Sequence, residues 1–89
     1  MQTNFLLGDL QLTERARLLL GRIPYDLVAR HAVNEHGHIT PGERKLNAYG
    51  METYGPIKSR YKADPTNPDS PFVVIETSER WGITVIRIE

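Results

Sequence analysis

The chain has no cysteine, which excludes disulfides, thiolate zinc sites and a cysteine nucleophile. It has no excess of either charge. Eleven Lys and Arg balance eleven Asp and Glu, so the bulk field that drives non-specific association with nucleic acid or anionic membrane is missing, and any charged partner must be met by a local patch. Long hydrophobic runs are missing too. A membrane-spanning helix needs about 20 consecutive apolar residues, and runs such as Phe5-Leu6-Leu7 fall far short. No basic segment leads into an apolar stretch near the start, so export is not expected and the expected location is cytoplasmic. The 89 residues make a single domain, 1–89. A domain of this size buries only about 60–65% of the surface its unfolded chain exposes, so the core must be small.

What is present reads as an α+β chain. Three β-prone runs, PIKSRY, FVVIET and GITVIRI, lie between Pro56 and Ile88 and suggest an antiparallel meander. Ile57, Ser59 and Tyr61 alternate with Lys58, Arg60 and Lys62, which sets an apolar-leaning face against a cationic one. The strand from Phe72 to Thr77 is apolar on both faces, as a central strand should be, and the last runs from Ile83 to Ile88. Between the first two, Asp64 to Pro71 is rich in Pro, Asp, Asn and Ser and reads as a mobile hairpin loop. Ser78 to Gly82 is a tight connection.

The first half supplies two or three short helices. Thr13 is placed to cap a helix from Glu14 to about Leu20, with Leu12, Ala16, Leu19 and Leu20 inward and Gly21 as the stop. Pro24 opens a second helix to about Val33, burying Leu27, Val28, His31 and Ala32. Thr40-Pro41-Gly42-Glu43 combines a capping box with proline at the first helical position, and predicts a third helix with Leu46 and Tyr49 inward and Gly50 near its end. Phe5 to Leu12 reads as an extended segment that adds a strand at a sheet edge. The expected architecture is helices packed on a three-stranded antiparallel meander, extended by that N-terminal strand.

The order of Gly8 to Thr13, Ile23 to His31, Asn47, Ser59 and Tyr61, Val74 to Thr77, Arg80, and Thr84 to Ile86 resembles a family of small uncharacterised proteins carried on plasmids and integrative elements of proteobacteria. The resemblance implies a cytoplasmic protein of the bacterial accessory genome, and no particular activity.

Four constellations bear on function. His31, His36 and His38 are close in sequence, but their spacing suits a core histidine and two loop histidines better than a metal site, so no metal or cofactor is expected. Lys58, Arg60 and Lys62 form a stripe that could lie on a phosphate backbone with Tyr54 and Tyr61 stacking, or could be a solvated face that guards an edge strand. Ser59, Tyr61, Glu76, Glu79 and Arg80 could converge into a small ribonuclease-like site, or simply form cross-strand pairs. Trp81 either anchors a partner from an exposed turn or folds back onto the core. The leading expectation is a non-enzymatic interaction module with no catalytic residues, contacting an unidentified protein through Lys58, Arg60, Lys62, Arg80 and Trp81. Nucleic-acid binding by the same strand is the alternative, and a ribonuclease-like enzyme the second alternative. A symmetric homodimer through a sheet edge or the exposed sheet face is a further expectation.

Overall fold

The computed structural model describes residues 3–89, in which a four-stranded sheet is covered by three helices. The elements run β1 (Asp9–Leu12), α1 (Glu14–Leu20), α2 (Tyr25–Ala32), α3 (Pro41–Thr53), β2 (Ile57–Lys62), β3 (Phe72–Thr77) and β4 (Ile83–Ile88), with a single 3-10 turn at Glu79–Trp81 before the last strand. The sheet order is β1-β4-β3-β2. The last three strands are the antiparallel meander, and the N-terminal strand joins the far side of β4 in parallel, so the sheet is mixed.

Local chemistry places the helix starts. Thr13 Oγ1 accepts from the Ala16 N–H at 3.2 Å, and Gly21 closes α1 in the left-handed region at φ 76°. At α3 the capping box is complete: Thr40 Oγ1 accepts from the Glu43 N–H at 3.0 Å and Glu43 accepts from the Thr40 N–H at 2.9 Å. That helix continues past Gly50 to Thr53, and Tyr54 supplies the left-handed cap.

The core lies between the helices and the alternate sheet residues that face them, with Val28, Tyr61, Val73, Ile75, Ile86 and Ile88 around Ala16. A second cluster of Phe5, Ile57 and Trp81 adjoins it. Three inward residues expected from periodicity turn out exposed. Leu19 faces solvent on α1, and on α3 Leu46 and Tyr49 are 66% and 65% exposed. The buried α3 positions are Asn47 and Gly50. The helix has come down on the edge of β2, where it meets backbone rather than an apolar surface. A Cβ at Gly50 would lie 2.6 Å from the Pro56 carbonyl oxygen, so only glycine allows this approach.

The hairpin loop after β2 is held by its own polar residues. Asp64 accepts from the Thr66 N–H and hydroxyl, Asn67 from the Asp69 N–H, and Ser70 from the Asp64 N–H.

Candidate functional site

A chain of hydrogen bonds crosses the buried face of the sheet, and its direction is fixed by its last acceptor. The Leu7 carbonyl can only accept, so Thr84 donates to it, at 2.5 Å. With its proton committed, Thr84 accepts from the Thr77 hydroxyl at 2.7 Å, and Thr77 in turn accepts from His31 Nε2–H at 2.9 Å. In the neutral imidazole the other nitrogen is then a bare acceptor. Ser59 donates to His31 Nδ1 at 2.6 Å, and accepts from His36 Nδ1–H at 2.7 Å. Both tautomers follow from one carbonyl.

The elements that carry this seam are those the sequence pattern placed. Alternation in β2, β3 and β4 sends Ser59, Thr77 and Thr84 to the helix-covered face, and helical spacing brings His31 down from α2; all four are fully buried. His36 comes from the connection after α2, where Gly37 at φ 71° lets the chain pass within contact of the Arg60 carbonyl and the Tyr61 ring. The neighbouring Tyr61 phenol donates to the Glu35 carbonyl at 2.5 Å, and burial pushes its pKa up. Burial, aided by the nearby His36, holds the His31 pKa down to about 3. Burial, with the Arg44 charge beside it, also lowers that of His36. Both rings therefore sit in neutral-favouring surroundings.

His36 lines a cavity of about 230 Å³ with Asn34, Arg44, Asn47, Ala48 and Met51. Asn34 Oδ1 is buried there without a hydrogen-bond partner among the described residues. No group of three or more His, Asp or Glu among the described residues is placed to hold a metal ion.

The cationic stripe lies where alternation put it, on the open face, but two of its three charges, Lys58 and Arg60, are engaged within the chain. Lys58 Nζ lies 2.6 Å from Glu43 of α3. Arg60 bonds Glu89 through Nε at 2.8 Å and through Nη2, and its guanidinium lies 3.6 Å over the Phe72 ring. Lys62 and the exposed Arg80 have no ion-pair partner among the described residues. Trp81 corrects an expectation: it is 9% exposed, packs on Phe5 and donates its indole N–H to the Gly55 carbonyl at 2.8 Å. It is a core residue because the small core needs its area. What the turn exposes is Tyr54, whose ring meets Trp81 at a tilt of 47° with centroids 4.8 Å apart.

The ribonuclease-like constellation does not assemble. Ser59 and Tyr61 face the core, while Glu76 faces the opposite side and bonds Arg87 at 2.7 Å. Adjacent parity, which alternation already implied, keeps them apart.

Two features escaped the sequence reading. The Asn47 amide reaches β2 as a strand would, donating to the Lys58 carbonyl and accepting from the Lys58 N–H, both at 2.8 Å. Nothing in a helical pattern distinguishes this Asn from a solvent-facing one. The second is the outer surface of α3, where Leu46, Tyr49 and Thr53 border a concavity with Gly55, Pro56 and Glu79. Recurrence at i, i+3 and i+7 marks one face of a helix, but not whether that face meets the protein's own core or solvent. No family model, curated protein or solved structure matches this chain.

Proposed function

We propose that this protein is a non-enzymatic interaction module that docks another protein on the outer face of α3. The observation that carries this reading is the exposure of Leu46 and Tyr49, side by side above the concavity that Pro56, Gly55 and Glu79 complete. Apolar and aromatic side chains grouped at a concave surface are the usual anchors of a protein interface. Tyr54 extends the patch, and Arg80 is a charged residue of the same turn region. Of the acids near the groove, Glu43 and Glu76 are paired to Lys58 and Arg87, whereas Glu79 is in no ion pair among the described residues. The fitting partner segment therefore brings an apolar side chain and a neighbouring cation.

The nucleic-acid reading draws less support, since Lys58 and Arg60 are already neutralised by carboxylates. Origin in a bacterial mobile element and residence in the cytoplasm rest on the resemblance, whose residues include His31, Ser59, Thr77 and Thr84, the members of the buried seam. No helix among the described residues is long and apolar enough to cross a membrane.

The test compares pull-downs from nuclease-treated bacterial lysate. Leu46→Glu with Tyr49→Ser should release a partner that the wild type captures, while Lys62→Glu with Arg80→Glu should retain it. Both pairs are at the surface, where substitutions typically shift stability by only about 0.5 kcal/mol, so loss of folding does not confuse the outcome. A partner kept by the first pair and lost by the second would overturn the placement on α3.

A further inference from the structure

The two edges of the sheet are not alike. On β2, the outward backbone groups of Lys58 are satisfied by Asn47, and those of Arg60 by the passing segment: the Arg60 N–H donates to the His36 carbonyl at 3.0 Å and the His38 N–H to the Arg60 carbonyl at 2.7 Å. From Lys58 to Arg60 that edge is closed to another strand. On β1, the Asp9 N–H donates to the Gly82 carbonyl and the Thr13 N–H to the Ile86 carbonyl, so the odd-numbered residues face β4. Leu10 and Leu12 then present N–H and C=O groups outward, and no bond outside the ladder engages them among the described residues.

We infer that β1 pairs with β1 of a second copy of this chain, antiparallel about a two-fold axis through Gln11, joining two sheets edge to edge. The register follows from the spacing of the free groups. Leu10 opposite Leu12 of the partner subunit makes a hydrogen-bonded pair, the symmetric pair repeats it, and every outward group of β1 is satisfied. Gln11 falls opposite its own copy as a non-hydrogen-bonded pair. Asp9 falls opposite a threonine, so no like charges meet across the strands. Leu10 and Leu12, only partly covered in the single chain, lie on the core side of the sheet and meet their counterparts there. With only four residues, the edge offers a foreign strand little beyond these same bonds. The inference does not depend on docking at α3, which uses a different surface.

The absence of cysteine makes a direct test available. A single Gln11→Cys places two thiols at a non-hydrogen-bonded antiparallel pair, about 4.5 Å apart at Cα, within disulfide reach. Under mild oxidation this variant should form a disulfide-linked dimer roughly tenfold faster than Glu52→Cys, an exposed position on α3 far from the axis. Light scattering on the wild type should show the mass doubling as concentration rises. Leu10→Pro should abolish both effects, because it removes an outward N–H while leaving the β4 ladder intact, and edge strands tolerate proline. Equal cross-linking at positions 11 and 52, or a wild type that stays monomeric at millimolar concentration, would overturn the inference and leave the edge to a strand from another protein.

Discussion

The helix-covered face of the sheet carries uncharged polar groups in one directed chain, whereas the open face carries charges in separate pairs. On the first, His31, Ser59, Thr77 and Thr84 are sealed from water, and each must find a partner within the protein. On the second, Lys58, Arg60, Glu76, Arg87 and Glu89 keep contact with solvent and form short ion pairs. The open face still hides an apolar residue. Val74 is fully buried there, and Arg60 and Arg87, whose long stems can cover apolar surface, flank it on the neighbouring strands. The contrast shows that position on a sheet does not decide how a polar group behaves; access to water does. A buried seam is costly to interrupt, while a solvated pair loses little when broken.

Among the substitutions, breaking the seam at its shared hydroxyl should have the largest effect. Ser59→Ala removes the donor to His31 Nδ1 and the acceptor of His36 Nδ1–H together. With each unsatisfied buried group costing about 1–3 kcal/mol, a loss near 3 kcal/mol is expected in urea denaturation. A loss under about 1 kcal/mol would mean that water replaces the hydroxyl and that the seam is not sealed.

Acid should act on the same face, gradually rather than in one step. The folded pKa of His31 is lowered to about 3 from an ordinary value of 6.5, so below about pH 6.5 the unfolded chain binds a proton that the folded chain refuses. Its stabilising share is present above that pH and is lost progressively as pH falls toward 3. One proton corresponds to about 1.4 kcal/mol per pH unit, and His36, lowered in the same direction, steepens the fall. Glu43, held down to about 2 chiefly by its hydrogen bond from Lys58, adds to acid loss only below its ordinary 4.5, so the window from 4.5 to 6.5 isolates the histidines. Denaturation across that window measures the slope, and nitrogen-15 NMR of the imidazoles should show His31 as the neutral Nε2–H tautomer throughout. A tautomer with the proton on Nδ1 would reverse the direction derived for the whole chain.

The sequence made the two faces legible and left their contents obscure. Alternation in Ile57–Lys62 assigned Lys58, Arg60 and Lys62 to one side and Ser59 and Tyr61 to the other, as found. The caps at Thr13 and Thr40 fixed where helices begin, because capping is local chemistry. Pairing is not local. Glu89 lies 29 residues beyond Arg60, and Ser59 meets a histidine 28 residues before it, separations that no periodic pattern encodes. Leu46 was expected inward because hydrophobicity ranks it above Asn47, yet the helix meets a strand edge, whose bare N–H and C=O need an amide. Trp81 was ambiguous for another reason. Arg80 and Trp81 both adopt positive φ, at 68° and 57°, a turn that swings the indole inward and that their side chains do not announce.

The smallest effect belongs to the open face, and it sharpens the comparison by its salt dependence. Arg87 and Glu76 are 2.7 Å apart, with about two-fifths of each side chain exposed (39% and 38%), so water and ions reach both. Their coupling, read from a double-mutant cycle of Arg87→Ala and Glu76→Ala, should be about 0.5 kcal/mol at low ionic strength. It should fade toward zero in about 1 M salt, where the screening length falls to roughly 3 Å. The Ser59→Ala loss should hardly change under the same salt, since no net charge is involved and no ion enters the seam. Arg87→Ala alone should cost somewhat more than the coupling, because Arg87 lies directly across from the buried Val74 and its stem's cover is apolar. A coupling that held its size in high salt would show that the pair is shielded from solvent, and the distinction between the two faces would then be one of degree.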